Sequence, residues 1–208
     1  MSRSAVTDQP VHELVAARWS PYAFADRPVA SESLRSLFEA ARWAPSSFNE
    51  QPWRFLVARR EDAEAFERML TCLTEGNQGW ARFAPVLALG VVAKCFERSG
   101  EPNKAAFHDL GLATANLLLE ATARGLHVHP MIGILPLRAR DLYAIPDDFE
   151  PFTGLAIGHA GGHAGAPPKL AERDARPRTR RPLAEFVFEG RMERSAGWLR
   201  RDPDEPKR

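Results

Sequence analysis

The chain has 208 residues, 44% of them hydrophobic and 26% charged, with a formal net charge of +1. That is the make-up of a single globular domain able to bury a core, and so near-neutral a balance gives no whole-molecule attraction to nucleic acid or anionic lipid. The longest apolar run, Ala84 to Ala93, is about half a bilayer span, and no cationic segment followed by an apolar one opens the chain, so the expected location is the cytoplasm.

A short helix is predicted around Val11 to Ala17. Ser31 is placed to cap the next one, in which Leu34, Leu37, Phe38 and Ala41 recur at helical spacing and Pro45 marks the end. Arg54 to Arg59 alternates like a half-buried strand. Glu61 and Asp62 open a further helix with Phe66, Met69, Leu70 and Leu73 on one face, and Gly76 to Gly79 reads as a turn. Pro85 to Ala93 is apolar without alternation, the mark of a strand buried on both faces.

The longest periodic segment lies between Pro102 and Gly125. Leu110, Ala113, Leu117 and Ala121 form one face, while Leu112, Ala115, Leu118 and Leu119 cover much of the rest. A helix apolar nearly all round is buried nearly all round, so it is central or shared with a second subunit. Leu126 to Ile134 is strand-like, a short helix follows Pro136, and Gly154 to His159 is another strand. Gly161 to Pro182 is rich in Gly, Pro and Arg and predicts an extended arm, with a strand resuming at Ala184 to Phe188. The organisation expected is a core over residues 1–160, an arm and strand of the same domain over 161–190, and a charged tail over 191–208. The fold class expected is α+β, a mixed sheet packed with helices. Cys72 and Cys95 form no CxxC pair and are expected as free thiols in core elements.

Several segments carry groups suited to chemistry. Arg18 and Ser20 precede Pro21 on a loop, where a guanidinium and a hydroxyl can hold a phosphate; a surface arginine and a turn serine would leave the same trace. Arg178 and Arg180, two apart in an extended segment, would point the same way. Arg173, Arg176, Arg178, Arg180 and Arg181 could instead mark a nucleic-acid contact, but no aromatics interleave them for stacking. The string Pro45-Ser46-Ser47-Phe48-Asn49-Glu50-Gln51-Pro52-Trp53 sets two hydroxyls and two amides at a helix end. Such directional groups suit a polyhydroxylated chain and the polar edge of a ring. Trp53 itself is expected in the core. The pairs His127/His129 and His159/His163 lack acidic or thiolate partners at ligand spacing, so no metal site is expected. Gly-x-Gly-x-x-Gly, P-loop and Gly-x-Ser-x-Gly patterns are absent.

Taken together and in order, the Arg18-Trp19-Ser20-Pro21-Tyr22 segment, the Pro45 to Trp53 string and the Arg178-Thr179-Arg180 segment resemble the nitroreductase family of FMN-dependent NAD(P)H oxidoreductases. The resemblance runs from about Arg18 to Phe188 and is strongest in the first third. It implies a mainly antiparallel sheet and a homodimer with FMN at interfacial sites, the C-terminal arm exchanged between subunits. Arg18, Trp19 and Ser20 would contact FMN from one chain and Pro45, Ser46, Ser47 and Asn49 from the other. Asn77 would face the ring, the backbone of Pro130, Met131, Ile132 and Gly133 would approach it, and Arg178 and Arg180 would bind the phosphate. Tyr22 and Trp80 stand where many members carry a basic residue near the flavin, leaving Arg82 as the candidate to restore that charge. Ile132 replaces an acid of some members, and little chain is left for a lid. The implied activity is ping-pong reduction of a nitroaromatic, quinone or activated alkene by NADH or NADPH, with flavin N5 rather than a side chain carrying the chemistry. A flavin-binding storage or regulatory protein, or a flavin-fragmenting or dehalogenating enzyme, are the alternatives on the same scaffold.

Overall fold

A computed structural model describes residues 4–199 of the chain. These fall into two compact units, one ending at Arg176 and the other beginning at Pro177. The first unit runs α1 (Glu13–Ala17), α2 (Ser31–Arg42), β1 (Trp53–Arg59), α3 (Ala63–Leu70), α4 (Glu75–Ala81), β2 (Val86–Ala93), α5 (Ala106–Ala123), β3 (His127–Met131), α6 (Pro136–Tyr143), β4 (Phe149–Gly158) and α7 (Pro168–Ala175).

The four strands form one sheet in the order β1-β2-β4-β3, antiparallel at every pairing. Strand alternation sends its side chains into two separate cores. Val86, Ala88 and Val92 of β2, with Leu155 and Ile157 of β4 and Val128 of β3, meet α2 and α5 through Leu34, Leu37, Leu110, Ala113 and Leu117. Leu87, Leu89 and Val91, with Ala156 and Met131, meet α3, α4 and α6 through Phe66, Met69, Leu70, Trp80 and Ala139. Helices thus cover both faces, which is why β2 reads as a continuous apolar run. Trp53 is buried as expected. Cys72 and Cys95 are free, the first buried and the second half-buried.

The α+β expectation holds, with four local differences. Ser31 does not cap α2; Ala30 takes that position, and the Ser31 hydroxyl accepts from Arg59 Nη1 at 3.0 Å. The Gly76 to Gly79 turn is helix α4. Burial of Trp80 and Ala81 outweighs the ~1 kcal/mol that each glycine takes from a helix. Within the expected extended arm, Pro167 and Pro168 start helix α7, whose buried residues are Leu170 and Asp174. One leucine left no apolar period to detect, because a carboxylate supplies the second anchor.

The fourth difference lies in the second unit. Leu183–Glu185 is one turn of 3-10 helix, and in place of a strand at Ala184 to Phe188 there is a lone bridge between Phe188 and Ser195. Pro182 sets a turn rather than a strand, and Phe186 is exposed, so no second face buries the alternation. Residues 200–208 of the expected charged tail lie outside the described residues. Among the described residues no helix is long and apolar enough to cross a membrane.

Two glycines test this packing in opposite directions. A Cβ on Gly158 would lie 2.5 Å from Pro85 Cδ and 3.0 Å from Phe24 Cδ1, both rigid rings. A Cβ on Gly76 would meet nothing within 4 Å. Gly158→Ala is expected to lower unfolding stability by about 1–3 kcal/mol through overpacking, and Gly76→Ala to raise it by about 0.5–1 kcal/mol. Urea titrations of both variants check this, and a Gly76→Ala protein less stable than wild type would overturn the helical account of that position.

Candidate functional site

The backbone leaves α1 at Arg18, which is extended at φ −61° and ψ 127°. The segment that follows is held by side chains distant in sequence. The Trp19 ring meets His127 edge-on at 5.2 Å. His129 Nδ1 donates to the Pro21 carbonyl at 2.8 Å. Tyr22 packs edge-on against His129 at 4.7 Å and Trp80 at 5.2 Å. Its N–H and that of Ala23 both donate to the Asp174 carboxylate, each at 2.9 Å. Arg173, one residue before, lays its guanidinium over the Tyr22 ring, 3.7 Å from the centroid. Helix α7 is therefore the clamp on the segment carrying Arg18, Trp19, Ser20 and Tyr22.

Burial is the main cause that holds His127, His129 and His159 below the usual histidine range. The charges of Arg18, Arg173 and Arg27 respectively act in the same direction, while Asp174 opposes the shift of the first two. At neutral pH these imidazoles are uncharged, so permanent positive charge beside the segment comes from guanidinium groups.

Asn77 and Gly133 meet. The Gly133 carbonyl accepts from Thr74 N–H at 3.0 Å, Thr74 Oγ at 3.2 Å and Asn77 Nδ2 at 2.9 Å. Asn77 Oδ1 in turn accepts from the Trp80 indole at 3.2 Å, and Thr153 Oγ donates to the Met131 carbonyl at 3.1 Å. The end of β3 from Pro130 to Gly133 is thereby fixed, while the Ile132 side chain stays 65% exposed. Gly133 has no room for a Cβ, which would sit 2.4 Å from Asn77 Nδ2.

The Pro45 to Gln51 string forms a tight loop ending α2. Phe48, Asn49 and Gln51 all adopt positive φ, between 51° and 58°, a conformation that asparagine visits readily but that is uncommon for phenylalanine and glutamine. Asp109 ties this loop to α5. Only 1% exposed on α5, it accepts the Ser47 N–H at 3.0 Å. Ser46 Oγ accepts the Gln51 N–H at 3.0 Å, and Gln51 Nε2 donates to the Asn49 carbonyl at 2.9 Å. The loop presents Phe48 outward, 72% exposed, with Arg98 over its ring at 4.2 Å.

The structure brings Arg18, Trp19, Ser20, Tyr22, Asn77 and Pro130 to Gly133 into one neighbourhood along β3. It leaves Pro45, Ser46, Ser47 and Asn49 at the entrance to β1, the opposite edge of the sheet. Three strand spacings separate these edges, roughly 14 Å. Arg178 and Arg180 belong to the second unit, where Arg180 Nη1 donates to the Thr179 carbonyl at 2.7 Å. Arg82, expected to restore a cation near Tyr22, turns back onto its own helix, donating to the Gln78 carbonyl at 3.3 Å. Arg173 takes the place over Tyr22 instead. Sequence reasoning named Arg173 only within an arginine cluster, and it missed Asp174 and Asp109. Only Asp109 left a usable signal, a lone acid on the buried face of an otherwise apolar helix.

A model of the nitroreductase family matches residues 15–159. An uncharacterized 15.4 kDa protein of Mycolicibacterium smegmatis is 37% identical over 66% of this chain and 96% of its own length. A Streptomyces coelicolor protein provisionally named an NADH dehydrogenase/NAD(P)H nitroreductase is 32% identical over 68% of this chain and 78% of its own. Among solved structures, one described as an oxidoreductase containing FMN is 37% identical and covers 94% of this chain and 99% of its own, with a TM-score of 0.85.

The neutral histidines make a stability prediction. A histidine whose folded pKa is depressed takes up its proton more readily when unfolded. Its contribution is therefore complete above the ordinary value of about 6.5 and is lost as pH falls through the folded pKa. Urea midpoints are expected to drop between pH 7.5 and pH 5.5, and His129→Gln should drop less over the same interval. An equal drop in both proteins would remove His129 from the account.

Proposed function

Because the chain belongs to the nitroreductase family, we propose that it is a homodimeric, FMN-dependent NAD(P)H oxidoreductase reducing electron-poor acceptors such as nitroaromatics, quinones or activated alkenes. The observation that carries the dimeric site is the placement of two complementary donor groups at opposite edges of one sheet. A second copy bringing its β1 edge to the β3 edge of the first would join them. Apolar surface suited to such a partner exists on α5, where the exposed Phe107 lies 4.6 Å from the exposed Phe152. The arm, proposed to cross to the partner, exposes Phe186, Met192 and Trp198.

The donor set fits FMN. A guanidinium at Arg18 matches the phosphate, and Ser20 adds a neutral hydrogen bond. Ser46 Oγ, already an acceptor for the Gln51 N–H, keeps its own proton to donate to a ribityl hydroxyl or a ring edge. The Asn49 side chain, exposed on its left-handed backbone, offers both donor and acceptor. Arg178 and Arg180 are the further phosphate ligands in this reading.

Bound FMN would supply hydride transfer from a nicotinamide to an acceptor occupying the same face in turn. The chain's own work is alignment and exclusion of water. Tyr22, Trp80 and the neutral His129 wall one side with apolar rings. The fixed end of β3, locked at Gly133 by Thr74 and Asn77, presents backbone rather than a titrating side chain to the ring.

The purified protein is expected to be yellow, to bleach anaerobically with NADH or NADPH, and to recover its colour with a quinone or nitroaromatic. A colourless protein that takes up no FMN sinks the reading. Bleaching by neither nicotinamide would favour storage, and slow consumption of the flavin would favour fragmentation. Arg18→Ala and Asn49→Ala homodimers should each bind FMN more weakly, the first by about 1.5–3 kcal/mol and the second by less. After subunit exchange, mixed dimers concentrate both lesions in one site and leave the other intact, so flavin content should recover toward half. Absence of recovery after verified exchange would place both residues in a site of one chain.

A further inference from the structure

The first turn of α5 carries a titratable group that the flavin reading leaves without a task. The His108 side chain is 72% exposed, while that of its neighbour Asp109 is 2% exposed. The two nonetheless meet, with His108 Nδ1 2.9 Å from Asp109 Oδ1. Adjacent side chains on a helix point about 100° apart, so spacing alone does not impose this contact. The second oxygen, Asp109 Oδ2, accepts the Ser47 N–H at 3.0 Å. One buried carboxylate thereby joins a surface imidazole to the backbone of the Pro45 to Gln51 loop. A carboxylate without a proton can only accept, which places the shared proton on His108 Nδ1. The charged imidazole and one neutral tautomer both carry a proton there, so the tie holds in either charge state. Other ties of the loop lie nearer the surface: Glu50 Oε1 accepts the Glu97 N–H at 2.5 Å, and Arg98 lies over the exposed Phe48 ring. They act at Glu50 and Phe48, whereas Asp109 acts at Ser47, between the Ser46 and Asn49 side chains that the loop offers to a ligand.

We propose that His108 is a positioning residue for flavin binding: by holding one oxygen of Asp109 it aims the other at Ser47, and so fixes the backbone from which Ser46 and Asn49 reach the cofactor. The proposal rests on the flavin reading above. Without the imidazole, Asp109 Oδ1 would be a buried acceptor that has lost its partner, a costly state for a charged oxygen. The carboxylate then gains by turning toward water, and that turn draws Oδ2 away from the Ser47 N–H. Phe48 and Gln51, held in an uncommon left-handed conformation, are the residues a loosened loop releases first. His108 need touch neither flavin nor acceptor for this, because it acts through Asp109.

The test compares wild type, His108→Asn, His108→Gln and His108→Ala. Asparagine can set its Nδ2 close to the place of the imidazole Nδ1, whereas glutamine carries its amide farther out. FMN dissociation constants come from fluorescence quenching, and hydrogen exchange of the flavin-free proteins is followed by mass spectrometry. His108→Ala and His108→Gln should bind FMN roughly tenfold more weakly, as for loss of a hydrogen bond to a charged group. Their peptide covering Ser47 to Gln51 should exchange at least about fivefold faster, a local opening. His108→Asn should stay within about twofold of wild type in both measurements, since it restores the donor. Exchange in β2 should be the same in all four proteins. A merely structural role would speed exchange in β2 and the loop together, and asparagine would not restore it. Loop exchange and FMN affinity unchanged in His108→Ala, or in His108→Gln should the first variant not fold, overturn the assignment, as does His108→Asn behaving like His108→Gln. Wild type that takes up no flavin overturns this proposal together with the reading beneath it, whereas flavin uptake with unshifted affinity and exchange overturns this proposal alone.

Discussion

The whole arrangement depends on a four-stranded sheet buried on both faces. β2 and β4 are central, and most of the side chains they carry are committed to one of two cores. Burying a polar group there without a partner would cost several kcal/mol, and the two strands accordingly carry almost none. Polar and charged function is driven to the edges of the sheet and to the loops leaving them. One edge, β3, alternates His127 and His129 with Val128; the other, β1, begins where the hydroxyl and amide loop ends. In the proposed function each edge would supply half of a donor set, and the distance between the edges follows from the two central strands.

Each half is then anchored by a buried carboxylate that makes no ion pair with a Lys or Arg in the described residues. Asp109 accepts the Ser47 N–H and Asp174 accepts those of Tyr22 and Ala23. A carboxylate hydrogen-bonded to backbone N–H groups is a strong and directional tie, roughly twice a neutral one. It suits the purpose better than an apolar contact would, because it fixes backbone direction as well as position. The loop at Phe48, Asn49 and Gln51 needs such a tie, since its left-handed residues would relax to ordinary conformations without one.

What could be read from the sequence divides along the same physical line. Elements stabilised by their own apolar period were legible: α5 from Leu110, Ala113, Leu117 and Ala121, and β2 from its unbroken run without a polar side chain. The loop from Pro45 was legible because a proline closes the helix before it. Elements held by partners far along the chain were not. α4 contains two glycines and is held by the burial of Trp80, and α7 has one leucine and is held by an aspartate whose N–H donors lie some 150 residues earlier. Conversely, Ala184 to Phe188 has the alternation of a strand but no neighbouring strand to pair with, and local pattern without a partner surface does not make a sheet.

The same reasoning explains how the charge balance can be nearly neutral overall and still be directed locally. Three half-buried histidines could have supplied cations here, yet partial burial keeps each of them a neutral ring. Charge that must persist at any physiological pH then has to come from arginine, whose guanidinium remains protonated even when partly desolvated. Arg18 arrives from the end of α1 and Arg173 from α7, two elements with no common position in the chain. A lysine at the Tyr22 position would have delivered a cation from within the segment itself; with an aromatic ring there, the cation comes from outside and the ring becomes its support. Aromatic residues in this neighbourhood are thus spacers and platforms for charge carried by a helix that composition alone would have assigned to a loop.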